Sequence, residues 1–145
     1  MKLTIEQIVQ GEEEVILRYR EFTSHVERIV NVIKGEECKI LGSYNGCKVI
    51  VDKHEILYIE SVDGKTFAYT KEAVYQMDYT LLQLTKMLQD INFFRCSKSM
   101  ILNIDKVASL KSLSSNRIDA AMCNGEHIVI SRTYAVAFRK RLRGE

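Results

Sequence analysis

The sequence predicts a mostly β (α+β) protein, built from short antiparallel strands and few helices. Three observations carry that expectation. Short β-favouring runs flank turn dipeptides at Asn45-Gly46, Asp63-Gly64 and Asn124-Gly125, the pattern of three hairpins. Apolar residues at helical spacing are confined to Val26–Ile33, Leu81–Leu88 and Ala135–Leu142. The chain has no proline and no Gly/Ser-rich linker, and 145 residues at 46% hydrophobic content supply one good core rather than two independent ones.

Taken in order, Val15-Ile16-Leu17-Arg18-Tyr19 reads as a strand with Val15, Leu17 and Tyr19 on one face. Thr23 or Ser24 then caps a helix whose Val26, Ile29, Val30 and Ile33 share one side, and Gly35 ends it. One strand and one helix cannot bury both apolar faces alone, so this piece docks on the rest of the chain or on a second copy. Lys39-Ile40-Leu41 and Cys47–Val51 form the first hairpin; Ile56–Val62 and Lys65–Tyr69 form the second, and Ala73–Met77 continues the sheet. A short helix from Thr80 lines up Leu81, Leu84 and Leu88. Arg117–Met122 and His127–Ile130 form the third hairpin, after which Ser131 caps a last helix with Ala135, Phe138 and Leu142 inward.

Composition excludes several classes. No apolar run approaches the ~18 residues that span a bilayer, and Met1–Glu6 lacks a signal-peptide apolar region, so the expected location is cytoplasmic. Cys38, Cys47, Cys96 and Cys123 are widely spaced, without a metal-ligand or redox pairing, and are expected as buried reduced thiols. His25, His54 and His127 stand in separate contexts, and no phosphate-binding glycine loop or nucleophile elbow is present, so the chain reads as neither an enzyme nor a metal or cofactor binder. Net charge is only +2, but its distribution is uneven. Residues 1–84 hold ten basic and fourteen acidic side chains, residues 85–145 eleven and five. A basic half beside an acidic half suits a nucleic-acid face with a separate second surface.

The most informative stretch is Phe93-Phe94-Arg95-Cys96-Ser97-Lys98-Ser99-Met100-Ile101-Leu102-Asn103-Ile104. Two apolar anchors there leave Ser97, Lys98 and Ser99 on a tethered loop, where hydroxyls and an ammonium can bond phosphates and base edges. Downstream, Ile128-Val129-Ile130-Ser131-Arg132-Thr133-Tyr134 launches Arg132 from the junction of a strand and a helix. Asn103 is read as a local backbone-bonding residue, and Arg95 as either a phosphate contact or an internal ion pair.

Together with Ile56-Leu57-Tyr58-Ile59-Glu60 and the Leu-rich segment Tyr79–Leu88, these motifs resemble the LytTR DNA-binding domain of bacterial transcription regulators, over roughly Lys48 to Leu142. The resemblance implies a β domain whose loops enter the major groove of duplex DNA. It divides the chain into a strand-helix extension over 1–45, for docking or dimerisation, and a LytTR-like domain over 46–145. It also implies a DNA-binding set of Lys65, Ser97, Lys98, Ser99, Ser131, Arg132, Arg139 and Lys140, with Lys98 and Arg132 reading bases and the serines positioning the backbone. Ser97-Lys98 stands where the family commonly has His-Arg, and a lysine cannot make the forked contact of a guanidinium to one guanine, so the bases read should differ. About 45 residues precede the resembling stretch, too few for a phosphorylated receiver domain, so a stand-alone regulator is expected. The partners it implies are double-stranded DNA, a second copy in a homodimer, and an inhibitory membrane protein. Two rivals differ in class: a dimerising antagonist that no longer reads DNA, and an RNA binder, which should expose stacking aromatics.

Overall fold

A computed structural model describes residues 1–34, 38–88 and 92–144. The chain divides into two units, 1–36 and 37–145.

In the first unit the only described regular element is α1 (Ser24–Lys34), with the Thr23 hydroxyl accepting the Val26 N–H at 3.3 Å. Val26 is buried and Ile29 and Val30 are half-buried, as the spacing predicts, whereas Ile33 is exposed. The proposed C-cap Gly35 lies outside the described residues. The strand expected at Val15–Tyr19 does not form: no strand among the described residues pairs with its backbone, and Val15, Ile16 and Tyr19 are exposed. Tyr19 instead packs edge-on against Phe22, ring centroids 5.6 Å apart.

The second unit is antiparallel throughout. Its strands are β1 (Lys39–Tyr44), β2 (Cys47–Asp52), β3 (Tyr58–Val62), β4 (Lys65–Tyr69), β5 (Val74–Met77), β6 (Phe93–Arg95), β7 (Met100–Asn103), β8 (Val107–Ser112), β9 (Ile118–Met122) and β10 (His127–Ile130). A seven-stranded sheet runs β2-β1-β5-β4-β3-β7-β6, and a three-stranded sheet runs β10-β9-β8. The first two hairpins close through paired left-handed residues, Asn45 with Gly46 and Asp63 with Gly64, which is the backbone that Asn-Gly and Asp-Gly permit most readily. β8 has no counterpart in the sequence reading. Its register with β9 shifts between Val107 and Ser109, and five of its six residues are exposed, so strict alternation never appears.

Two helices complete the unit. α2 (Leu81–Met87) starts at a reciprocal cap: the Thr80 hydroxyl accepts from the Gln83 N–H, and the Gln83 amide oxygen accepts from the Thr80 N–H. Its Leu81 and Leu84, with Leu88, join Ile40, Val51, Ile59, Ala68, Met77, Phe93 and Ile101 in one core. α3 (Arg132–Leu142) buries Ala135 and Phe138 in a second core with Leu57, Leu102, Cys96, Ile118, Met122 and Ile130. Leu142, expected inward, is exposed on the last turn of the helix. The Ser131 side chain makes no cap bond; only its carbonyl accepts, from Tyr134 and Ala135.

Asn103 is fully buried at the seam between the cores. Its amide donates to the Ile56 carbonyl at 2.9 Å, and its oxygen accepts from the Asp105 N–H at 3.1 Å. The local half of that pattern was expected. The long-range half ties β7 to the segment before β3, where an apolar side chain would orphan a buried carbonyl.

Candidate nucleic-acid interface

The loop between β6 and β7 is held from three sides. The Cys96 and Ser97 N–H groups both donate to the Met100 carbonyl, at 3.0 and 3.4 Å, closing a tight turn. The Ser61 N–H of β3 donates to the Ser99 carbonyl at 2.8 Å, extending the β3–β7 ladder one step into the loop. Arg95 supplies the third hold: its Nε donates to the Ser97 carbonyl at 2.8 Å and its Nη2 to the Lys98 carbonyl at 2.5 Å. Arg95 is therefore a brace beneath the loop, and it makes no ion pair among the described residues.

Ser97 is partly spent on the loop itself, since its hydroxyl oxygen accepts the Ser99 N–H at 3.2 Å. It also lies 3.5 Å from the Ser99 hydroxyl, and either of the two can donate to the other. Lys98 is exposed at the tip, and its ammonium has no partner among the described residues.

Arg132 reaches the same region from the other sheet. The Ser131 N–H donates to the Cys96 carbonyl at 3.1 Å, so the junction of β10 and α3 is bonded to the first residue of the loop. Arg132 opens α3, is exposed, and makes no ion pair with Glu126 or any other described residue. Lys65 lies on the β3–β4 hairpin, opposite Val62 and one residue beyond the Ser61 that bonds Ser99. Its ammonium is also unpartnered among the described residues. The structure thus brings Lys65, the 97–99 loop and the 131–132 junction to one end of β3 and β7.

Arg139 and Lys140 stand about 10 Å further along α3. Arg139 donates to the Asn116 side chain at 2.7 Å, tying α3 to the turn after β8, so it is first a fold contact. Lys140 is exposed and unpartnered among the described residues. By contrast, Lys48 pairs with Asp78, and His127 with Asp119 at 2.8 Å.

Cys96 is the pivot on which these bonds meet. It is fully buried, and desolvation pushes its thiol up to about 12, against smaller lowering influences from its backbone hydrogen bond and from Arg95. Such a thiol stays protonated and unreactive. The expectation of buried cysteines holds for Cys96 alone; Cys47 and Cys123 are exposed and Cys38 is half-buried. Sequence reasoning missed the roles of Arg95, Ser61 and Cys96. An arginine two residues before a Ser-Lys-Ser tip was a signal for the brace; nothing in the sequence marked the Ser61 bond.

The scaffold is an antiparallel β domain whose loops at one end carry cations unpaired among the described residues. The family model for the LytTr DNA-binding domain matches residues 47–143, and the chain belongs to that family. The sensory transduction protein LytT of Bacillus cereus is 33% identical over 95 residues, and that of Bacillus subtilis 31% over 94. Those alignments cover 66% and 65% of this chain and 39% of each relative, so the chain spans about two-fifths of their length. The transcriptional regulatory protein YpdB of Escherichia coli is 26% identical over 68 residues, covering 47% of this chain and 28% of its own. A solved LytTr DNA-binding domain of a Bacillus cereus response regulator superposes with a TM-score of 0.68 at 26% identity, covering 72% of this chain and 96% of that one. Among the described residues, no helix is long and apolar enough to cross a membrane, and no group of three or more His, Cys, Asp or Glu could hold a metal ion.

Proposed function

We propose that this chain is a sequence-specific transcription regulator that reads the major groove of duplex DNA through loops, as a homodimer. Lys98 and Arg132 contact base edges. Ser97, Ser99, Ser131, Lys65 and Lys140 contact phosphates and set the register, with Arg139 lending charge from its place on α3. The observation that carries the reading is the Ser131–Cys96 hydrogen bond, which couples two loop ends, each bearing an unpartnered cation, from different sheets. A base-reading side chain needs such a fixed launch point. Residues 1–36, with the apolar stripe of α1, serve as the docking segment for a partner protein, the class that includes an inhibitory membrane protein.

Selection of binding sites from random duplex DNA tests the reading, followed by affinities on matched and single-base-changed duplexes. Arg132→Ala and Lys98→Ala should each cost about 1–3 kcal/mol on the selected site and relax discrimination at different base pairs. A folded protein that selects no site would leave the antagonist reading in its place. If either variant weakens matched and mismatched duplexes by one common factor, that residue is a phosphate contact rather than a reader.

A further inference from the structure

The seven-stranded sheet ends in an open edge whose chemistry is self-complementary. Of the four edge strands, β6 has three residues and β10 four, and the pairing of β8 is broken by a register shift. β2 pairs all six of its residues with β1 without irregularity. Among the described residues no strand pairs with its other side, so it presents a regular edge of the kind that natural proteins usually blunt with bulges, proline or covering segments.

The register fixes what this edge offers. The two-residue turn Asn45-Gly46 closes on Tyr44 and Cys47 as a hydrogen-bonded pair, so Cys47, Val49 and Val51 point their backbone groups at β1. Lys48, Ile50 and Asp52 point their N–H and C=O groups away from it. A second β2, antiparallel and centred on Ile50, would pair Lys48 with Asp52, Ile50 with Ile50 and Asp52 with Lys48. This register leaves none of those six groups unmet. Other symmetric registers that keep donors opposite acceptors pair fewer.

The side chains agree with the backbone. Ile50 is 70% exposed and its cross-strand neighbour Leu41 is 49% exposed. In the centred register they form one apolar row, Leu41-Ile50-Ile50-Leu41, across the two copies. On either side of that row, Lys48, which within its own copy pairs with Asp78 and donates to the Ser43 hydroxyl, lies opposite Asp52 of the second copy, and that Asp52 already lies opposite its own Lys39. Asp52 uses one carboxylate oxygen to accept the His54 N–H at 2.9 Å, and its other oxygen has no partner among the described residues. Opposite charges directly across strands stabilise pairing, and like charges oppose it.

We propose that β2 is a homodimerisation edge, joining two copies into one continuous antiparallel sheet through the Lys48–Ile50–Asp52 register. The inference rests on the homodimer reading above and specifies its interface. It also leaves the DNA loops free. From β3 of one copy to β3 of the other is nine strand steps, about 43 Å at ~4.8 Å per step. Those steps accumulate roughly 180–225° of twist. That turn offsets the half-rotation of the two-fold axis, so both sets of loops face the same side.

The test is charge exchange in the full-length chain, read by sedimentation over a range of concentrations. Lys48→Asp places acids opposite acids, and Asp52→Lys places lysines opposite lysines, so each variant alone should be monomeric where the parent is dimeric. Mixed in equal amounts they should form a one-to-one heterodimer, because every cross-strand pair is then opposite in charge. Recovery on mixing also shows that both variants are folded. Asp52→Asn, which keeps an acceptor for the His54 N–H, should raise the dimer dissociation constant at least tenfold without changing the circular dichroism. If the parent chain is a monomer throughout, both this interface and the homodimer reading fail. If the parent is a dimer and the single variants stay dimeric, or do not associate on mixing, the β2 edge is wrong while the homodimer reading stands.

Discussion

As proposed base contacts, Lys98 and Arg132 offer different chemistry. The guanidinium of Arg132 is planar and forked, suited to two acceptors on one guanine, whereas the Lys98 ammonium is a point donor on a flexible stem. The Arg132 position should therefore be the more sharply specified one in the operator. Cys96, one residue from Ser97, contributes in another way. Its thiol titrates near 9.0 when unfolded and is pushed up to about 12 by burial in the fold. Below pH 9 both states keep the proton and the group has no effect. Between pH 9 and 12 the unfolded chain loses it first, so stability falls as pH rises, by at most about 1.4 kcal/mol per pH unit. Burial raises Tyr58 and Tyr69 in the same direction, Tyr58 also through Glu126 and Tyr69 also through Glu60, so they add a slope of the same sign. Denaturant midpoints at pH 8 and pH 10 should accordingly drop further for the parent than for Cys96→Ala. Equal drops would show that Cys96 is ionised or solvated in the folded state.

The elements show which parts of the molecule could be read from the sequence. The first two hairpins were legible because Asn-Gly and Asp-Gly encode left-handed backbone locally, and α2 because Thr80 and Gln83 satisfy each other within one turn. β8 was not, since a bulged and exposed strand carries no alternation, and Val15–Tyr19 misled because alternation without a partner strand makes no sheet. At the candidate interface, the exposed loop tip was legible by motif. Its support was not, because the Ser61–Ser99 and Ser131–Cys96 bonds join positions 38 and 35 residues apart through the backbone, where side-chain identity says nothing. Arg95 lies between these cases: local in sequence, yet acting through carbonyls. Arg95→Met keeps the side-chain stem and removes both bonds to the loop. It should speed amide hydrogen exchange at Lys98 and Ser99 and weaken discrimination at the Lys98-dependent base pair, while the melting temperature moves little. Unchanged exchange would mean that the Met100 and Ser61 bonds hold the loop unaided.

For the whole molecule, the uneven charge distribution makes affinity a matter of ionic strength. Each phosphate neutralised contributes about −0.9 to the log–log slope of affinity against salt. Lys140→Ala should flatten that slope by about one unit and weaken all duplexes alike. Arg139→Ala should do so too, but it should also lower thermal stability, because the Asn116 bond that anchors α3 is lost. If Arg139→Ala destabilises the fold and leaves the slope unchanged, its role is purely structural. The bonds that clamp the 97–99 loop carry a kinetic consequence. On the proposed reading, a loop clamped in advance has no ordering step to complete on the duplex, so encounter proceeds at the pace set by diffusion and charge steering. Operators that differ in sequence should then be met at nearly the same rate and told apart by residence time, with the correct site being the one the protein leaves slowly.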